Sequence, residues 1–506
     1  MAVRQPDPKR WLVLLAVMLA FLPVVLDMTI LHVAVPTLTQ ALGASNTQVL
    51  WIIDIYPLLM AGLLVPMGTL ADRVGTRRIL LAGLAIFGLA SALAAAAPHP
   101  AQLIAARMLL ALGGAMIMPC VLGVIRRTFE DPAERGLALG LWGTVGAAGA
   151  AVGPLIGGAL LGHFWWGSVF LINVPVMLIV LPACWLLLPR QERISSGHWA
   201  IGQAVLLILG MIATVYAIKA GFGAKQPVAV VLPVLLLGLA LLTVFARLQL
   251  RSPAPMLDLS LFSRPAIVAG IIMAIVASGS LAGVELTLAQ ELQYVLDKTP
   301  LQAGLFMVPL MAAAALGGPV AGGLSARFGL RPVACLSLAI SAAALAGLAG
   351  TDFHDAGLVA PVLLALLGLA LSIGLTASSI AIMSAAGTHE AGAAGSLEAT
   401  GYELGGALGI TLFGVFMSGV FGAHLVLPEG IPDPLADQAA RSIGDVYIAA
   451  QQLGAELGAA LITAGKGAFS ATHSVLLTAA ALLMGLLTVL VFFLLAPTRE
   501  TPDGDR

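Results

Sequence analysis

Charge is scarce in this chain. Of its 506 residues only 10% are Asp, Glu, Lys or Arg, against 60% hydrophobic. A soluble chain carries roughly a quarter charged residues, and a disordered one is poor in Leu, Ile, Val and Phe, so both classes are excluded. Cysteine is equally sparse. Cys120, Cys184 and Cys335 each sit inside an apolar run, which predicts small buried hydrophobes rather than disulfides or metal ligands. No stretch has the form Gly-x4-Gly-Lys-Ser/Thr, and the loops are too short for a nucleotide-binding domain, so ATP is not implied. No cofactor, metal or nucleic-acid partner is expected, and no enzyme chemistry.

What is abundant is long apolar stretches, and a helix needs about 20 such residues to cross a bilayer. Fourteen can be marked, at 11–36, 49–71, 79–97, 101–124, 136–161, 168–188, 200–220, 228–246, 266–294, 302–325, 331–350, 358–383, 395–422 and 473–496. Most breaks hold Pro, Gly or charge clusters, as helix punctuation should. The first run is too long for a secretory signal and is expected to remain as a spanning helix. The net charge of −1 says little beside the distribution of the charges. With the N-terminus inside, eighteen of the 24 Lys and Arg fall on the cytoplasmic side. Four (Lys225, Lys298, Arg441 and Lys466) fall outside, while Arg107 and Lys219 lie within spans. Miscounting one span would destroy this asymmetry, so the positive-inside rule supports fourteen. One long outer loop, 423–472, predicts one or two short amphipathic helices over the outer mouth, or a flexible connector.

The chain also repeats itself. Gly68-Thr-Leu-Ala-Asp72-Arg73-Val-Gly75-Thr-Arg77 aligns with Gly322-Gly-Leu-Ser-Ala326-Arg327-Phe-Gly329-Leu-Arg331. Both fall in the cytoplasmic turn after the second helix of a six-helix unit. The expected organisation is an N-terminal bundle (1–190), two inserted helices (191–262) and a C-terminal bundle (263–506) carrying the loop 423–472. Two parallel units with substrate between them near the midplane are a recurrent plan of secondary transporters.

Ionisable residues inside a membrane are costly, and they usually face a cavity, pair with one another or move protons. Here they are Asp27, His32, Asp54, Arg107, Glu285, Glu291, Glu398 and Glu403. At about 1.5 Å per residue, Asp27 lies about 14 Å and Arg107 about 9 Å from the outer ends of their helices. The two fit either a static ion pair or a proton site whose affinity changes when the arginine moves. Asp54 is expected near the outer rim, Glu291 at a solvated rim position, and His32 as a hydrogen-bonded helix-end residue or a proton relay. Glu398 and Glu403 stand roughly 140° apart on their helix and cannot both face one narrow cavity. An acidic cavity with aromatic and Met walls, drawing on Trp51, Tyr56, Met60 and Tyr402, suits lipophilic cations. Gly149, Gly153, Gly157 and Gly158, with Pro154, lie at three- and four-residue steps that allow close helix packing in lipid.

Several of these segments carry a resemblance. The turn Gly68-x-Leu-Ala-Asp72-Arg73-x-Gly75-x-Arg77-Arg78 resembles the signature loop of the major facilitator superfamily. Ala105-Ala-Arg107-x5-Gly113-Gly114-Ala115 resembles its helix-4 motif, and Gly149-x3-Gly153-Pro154-x2-Gly157-Gly158 its antiporter motif. The helix-1 segment Leu26 to Pro36 and the helix-2 segment Trp51-Ile-Ile-Asp54-Ile-Tyr56 are similar to those of the fourteen-helix drug:proton antiporters. So are Gln290-Glu291-Leu292-Gln293 and Tyr402-Glu403-Leu404-Gly405. His32 stands where many of these relatives have Asn.

The resemblance implies an all-α, fourteen-helix major facilitator fold in the bacterial cytoplasmic membrane, with both termini inside. It implies a monomer exporting mono- and divalent organic cations, such as quaternary ammonium biocides, dyes and viologens, on the proton gradient. Asp27, Arg107 and Glu403 would couple protons; Asp54, Glu285, Glu403, Tyr56, Trp51, Met60 and Tyr402 would bind substrate. Gly68, Asp72, Arg73, Gly75, Arg77 and Arg78 would form a conformational latch. An exporter of one specific metabolite is the nearest alternative. A proton-channel subunit of a respiratory complex is a third, disfavoured because Lys219, the one Lys in a span, stands at a helix end.

Overall fold

The computed structural model describes residues 9–495 except 130, 190–200, 224–225, 254, 256, 258, 354, 356 and 387–390. It is helical, with no strand among the described residues. The helices α1 (Arg10–Leu42), α2 (Asn46–Val74), α3 (Thr76–Ala95), α4 (Pro100–Thr128), α5 (Pro132–His163) and α6 (Asn173–Leu187) pack mainly on one another. Two more, α7 (Ile201–Ile218) and α8 (Val228–Arg251), form a pair that leans on α2. Then α9 (Pro265–Gln290), α10 (Pro300–Phe328), α11 (Leu330–Ala349), α12 (Val359–Ala385), α13 (Ala391–His424) and α14 (Ala455–Leu494) form a second group. Among the described residues, thirteen helices are long and apolar enough to cross a membrane, and α5 adds a shorter apolar run, Val152–His163.

The sequence repeat is a structural repeat. Ser45 begins α2 with a capping box to Gln48, and Thr299 begins α10 with the same box to Gln302, satisfying orphan N–H groups at both ends of one hydroxyl–amide exchange. At the other end of each helix stands a glycine with positive φ, Gly75 at 112° and Gly329 at 84°, a conformation a Cβ disfavours. Just beyond, Arg77 donates to the Trp185 carbonyl at the end of α6 (2.5 Å), and Arg331 donates to the Phe492 carbonyl near the end of α14 (2.8 Å). Cations at helix C-termini are favoured by the helix dipole. The α3–α6 and α11–α14 contacts are therefore made by equivalent arginines.

Small residues allow the tightest crossings. Gly149, Gly153 and Gly157 of α5 face α1, where a Cβ would strike Val25, Thr29 and Ile30 respectively. Gly158 faces the other way, against the Pro300–Leu301 backbone of α10. In the second group, Gly405 and Gly409 of α13 lie against Ile275 and Gly279 of α9. The α9–α13 crossing thus repeats the α1–α5 crossing.

Three expectations are corrected. The last span does not begin at 473: α14 starts at Ala455 and runs for 40 residues. Its Ala-rich first turns continue the helix because Gly458 and Gly465 let it lie close against Ala450 and Val446. Lys466 therefore stands on α14, paired with Asp297 at 2.5 Å, rather than in a loop. The outer loop shortens accordingly and holds two short helices, Asp433–Ala439 and Ile443–Ala450. The second sits over the ends of α1 and α9, with Gly444 against Thr39 and Tyr294, and Tyr447 donates to the Tyr294 carbonyl (2.7 Å). The expected domain boundary at 190/191 lies outside the described residues, and that at 262/263 falls in the short turn Leu259–Ser263.

Candidate functional site

A cavity of about 340 Å³ lies between the two groups of helices. It is lined from α1 by Met28, Thr29 and His32, from α2 by Ile53, Tyr56 and Pro57, and from α4 by Arg107. From the second group come Ser278 and Glu285 of α9, Met311 of α10, Leu375 of α12, and Tyr402, Glu403 and Ile410 of α13, among others. Neither α7 nor α8 contributes to the lining. The hydrogen bonds that join the groups lie towards the Ser45 end of the bundle. His32 Nδ1 is hydrogen-bonded with Glu285 (3.0 Å), Gln293 donates to the Val33 carbonyl (3.0 Å), and Tyr294 to the Pro36 carbonyl (3.4 Å).

Arg107 and Asp27 meet, as their similar depth predicts. The guanidinium donates to Asp27 and to the Ile52 carbonyl (2.9 Å), with its Cζ 4.7 Å from the centre of the Tyr56 ring. Both partners are almost fully buried, and the second carboxylate oxygen of Asp27 has no hydrogen-bond partner. A buried charge is tolerable only when paired and bonded. The carboxylate is therefore held as half of a pair, with one acceptor unused.

Of the expected substrate residues, Tyr56, Glu285, Tyr402 and Glu403 line the cavity. Tyr402 is fixed by its hydroxyl, which donates to the Leu375 carbonyl (2.9 Å), and by Ser278, which donates to the Tyr402 carbonyl (3.1 Å). Glu403, one residue on, projects a carboxylate whose Oε2 has no hydrogen-bond partner. Glu398 does not line the cavity.

Asp54, Trp51 and Met60 do not reach it. Met60 fills the notch that Gly114 leaves in α4. Asp54 is fully buried rather than at the rim, because α2 turns that face towards α7 and α13. Lys219 places its ammonium 2.7 Å from the Asp54 carboxylate and 4.2 Å from the centre of the Trp51 ring, and Thr411 donates to the same carboxylate. A carboxylate and an aromatic face are what an organic cation would seek, and the chain fills them with its own lysine. Lys219 opens the π-helical turn Lys219–Gly223 that ends α7. The residue stands at the end of α7, as its place in the sequence implies, but its charge is buried inside the protein. The pattern of a single Lys near the end of an apolar run gave no hint of its partner.

Two further readings change. His32 is mid-helix in α1, bonded across the cavity to Glu285. Glu291 is buried, not solvated: it opens a second π-helical turn, Glu291–Val295, accepts from Ser470 (2.6 Å), and lies 3.7 Å from His473. In the signature loop, Gly68 lies close to Pro119, Arg73 is half-buried, Arg78 is exposed and Arg77 caps α6. The Asp72 side chain lies outside the described residues.

Residues 17–410 match the family model for the Major Facilitator Superfamily. The chain belongs to that superfamily. It is 46% identical over 493 residues to the methyl viologen resistance protein SmvA of Salmonella typhimurium, covering 97% of this chain and 99% of the relative. It is 34% identical to the multidrug efflux pump LfrA of Mycolicibacterium smegmatis, with 91% of each chain covered. Among solved structures it is similar to a bacterial homolog of the human lysosomal transporter Spinster (TM-score 0.67, 19% identity), covering 98% of this chain and all of that one. This superfamily member is a multi-pass membrane protein related to drug-efflux transporters, whose family members are transporters rather than enzymes.

Proposed function

We propose that the chain exports lipophilic mono- and divalent organic cations in exchange for protons. It would act as a monomer in the bacterial cytoplasmic membrane, with both termini inside and no bound cofactor. The observation that carries this reading is the pair of carboxylates, Glu285 and Glu403, in an otherwise largely apolar cavity with the rings of Tyr56 and Tyr402 and the thioethers of Met28 and Met311. Acid provides the counter-charge, rings attract cations through their faces, and thioethers adapt to varied shapes. The similarity to a methyl viologen resistance protein along nearly the whole chain supports the same substrate class, since methyl viologen is a planar dication.

In this mechanism the cavity loads a cation from the Gly75 side while the hydrogen bonds near Ser45 hold the other side shut. Protonation of Asp27 from outside would weaken its hold on Arg107, freeing the guanidinium and the helices it ties. Release of that proton inwards would restore the pair. The test is proton movement in everted vesicles holding a pH gradient: adding methyl viologen or a quaternary ammonium dye should collapse the gradient. A gradient indifferent to a broad cation panel, but dissipated by one metabolite, would favour the narrow-exporter alternative.

A further inference from the structure

The His32–Glu285 contact connects the two helix groups inside the cavity, through residues from α1 and α9 that both line it. Each side chain is about 5% exposed or less, so the contact is desolvated, and a carboxylate there requires a counter-charge or a donor. His32 Nδ1, 3.0 Å from Glu285 Oε2, supplies it. Imidazole is the side chain that ordinarily changes charge between pH 5 and 8.

We propose that His32 is the exchangeable cation of the substrate site: an arriving organic cation takes its place beside Glu285, and His32 gives up its proton. This rests on the cation-export reading and assigns to one residue the proton given up at the substrate site, apart from the proton carried by Asp27. The balance is simple. Before binding, Glu285 is a carboxylate paired with the imidazolium of His32. The imidazolium Nδ1–H bond breaks, the proton leaves to water in the cavity, and the nitrogen lone pair remains on a neutral imidazole. The organic cation then neutralises Glu285, so one positive charge departs as one arrives. The second charge of a dication would face Glu403, which has no hydrogen bond on Oε2. Losing the His32–Glu285 bond also removes one of the hydrogen bonds that tie α1 to α9 and the π-helical turn after it, which links loading to opening near Ser45.

The other charges around the pair do not offer the same exchange. On α2, Asp54 is within electrostatic reach of His32, but Lys219 of α7 occupies it; Tyr56 of the same helix lies under Arg107. On α4, Arg107 is engaged by Asp27 of α1. On α13, Glu403 lines the same cavity, and its Oε2 has no hydrogen-bond partner among the described residues. The faces of α10 and α12 present Met311, Ala314, Ser372 and Leu375, none of which titrates.

The experiment is calorimetric binding of tetraphenylphosphonium to the purified full chain in detergent. It is run across pH 5.5–8.5 in buffers of different ionisation enthalpy, so that released protons are counted. Wild type should release up to about one proton per cation, with affinity falling about tenfold per pH unit on the acid side, as displacement of a single proton requires. His32→Asn, and independently His32→Gln, should bind the cation with the acid-side slope flattened and the released proton gone. Elution as a single symmetrical species shows that each variant is folded, and the two variants guard against one failing to fold. Unchanged proton release in either folded variant would overturn the assignment and leave cation export standing. Failure of wild type to bind any cation would overturn export and this exchange together.

Discussion

Replacing Lys219 with Met removes the charge that α7 inserts beside Asp54 while keeping an unbranched side chain of similar length. The ammonium is 2.7 Å from the carboxylate, and both side chains are about 2% exposed or less. Removing one partner of such a buried pair costs about 3–5 kcal/mol, because the other charge is stranded. The lost contact with Trp51, 4.2 Å from the ammonium, adds about 0.5–2 kcal/mol. Lys219→Met alone should therefore destabilise the protein by at least about 3 kcal/mol. Asp54→Asn in the same chain should recover most of that, since a neutral amide needs no counter-charge and its oxygen still accepts from Thr411. A double-mutant cycle measured by SDS-driven unfolding in mixed micelles, followed by near-ultraviolet circular dichroism, should give a coupling of about 2 kcal/mol or more. If Lys219→Met costs under about 0.5 kcal/mol, or the two changes simply add, the buried ion pair does not tie α7 to α2 as described.

Asp27→Asn should leave the protein in the membrane and abolish export of every cation tested, because a neutral amide can no longer exchange a proton beside Arg107; full proton-driven export by the variant in vesicles would contradict this. Glu403→Gln should weaken binding of methyl viologen about tenfold more than that of a monovalent dye, a close charge pair being worth upwards of about 1.5 kcal/mol; equal losses in equilibrium binding without a gradient would count against it. Gly158→Leu should stop transport and prevent the Ser45 side from closing, since any Cβ meets the Pro300–Leu301 backbone of α10; cysteine cross-linking of α5 to α10 at wild-type efficiency would refute this. Burial raises the carboxyl of Asp445, on the helix over the outer end, above the ordinary carboxylate value despite help from Ser442 and Arg441. A raised acid favours its protonated form in the fold, so its contribution is complete below the unfolded value and fades as pH rises through the folded one. Amide exchange in 443–450, corrected for intrinsic rate, should thus protect better at acid pH in wild type and lose that trend in Asp445→Asn.

Much of the architecture is readable in one dimension because a bilayer allows so few solutions. Long apolar runs must be helices, since no water is present to satisfy an exposed backbone. The repeat around Gly75 and Gly329 is legible because both turns need the same backbone conformation. Depth along two helices was enough to bring Asp27 and Arg107 together. The start of α14 was not legible, because its Ala-rich first turns read equally well as loop helix until Gly458 and Gly465 pack on the short helix beneath.

The sequence by itself determined that this chain lives in a membrane, is built of repeated helices, and carries acids where lipid would forbid them. Which of those acids meet the cavity was decided only in three dimensions. Facing depends on helix rotation, and two π-helical turns, at Lys219 and Glu291, shift that rotation without leaving a mark in composition. Partners also lie far apart along the chain: Asp54 with Lys219 and Thr411, His32 with Glu285. Whether a buried carboxylate is free to receive a substrate depends on which side chain already occupies it, and packing alone brings that side chain within about 3 Å.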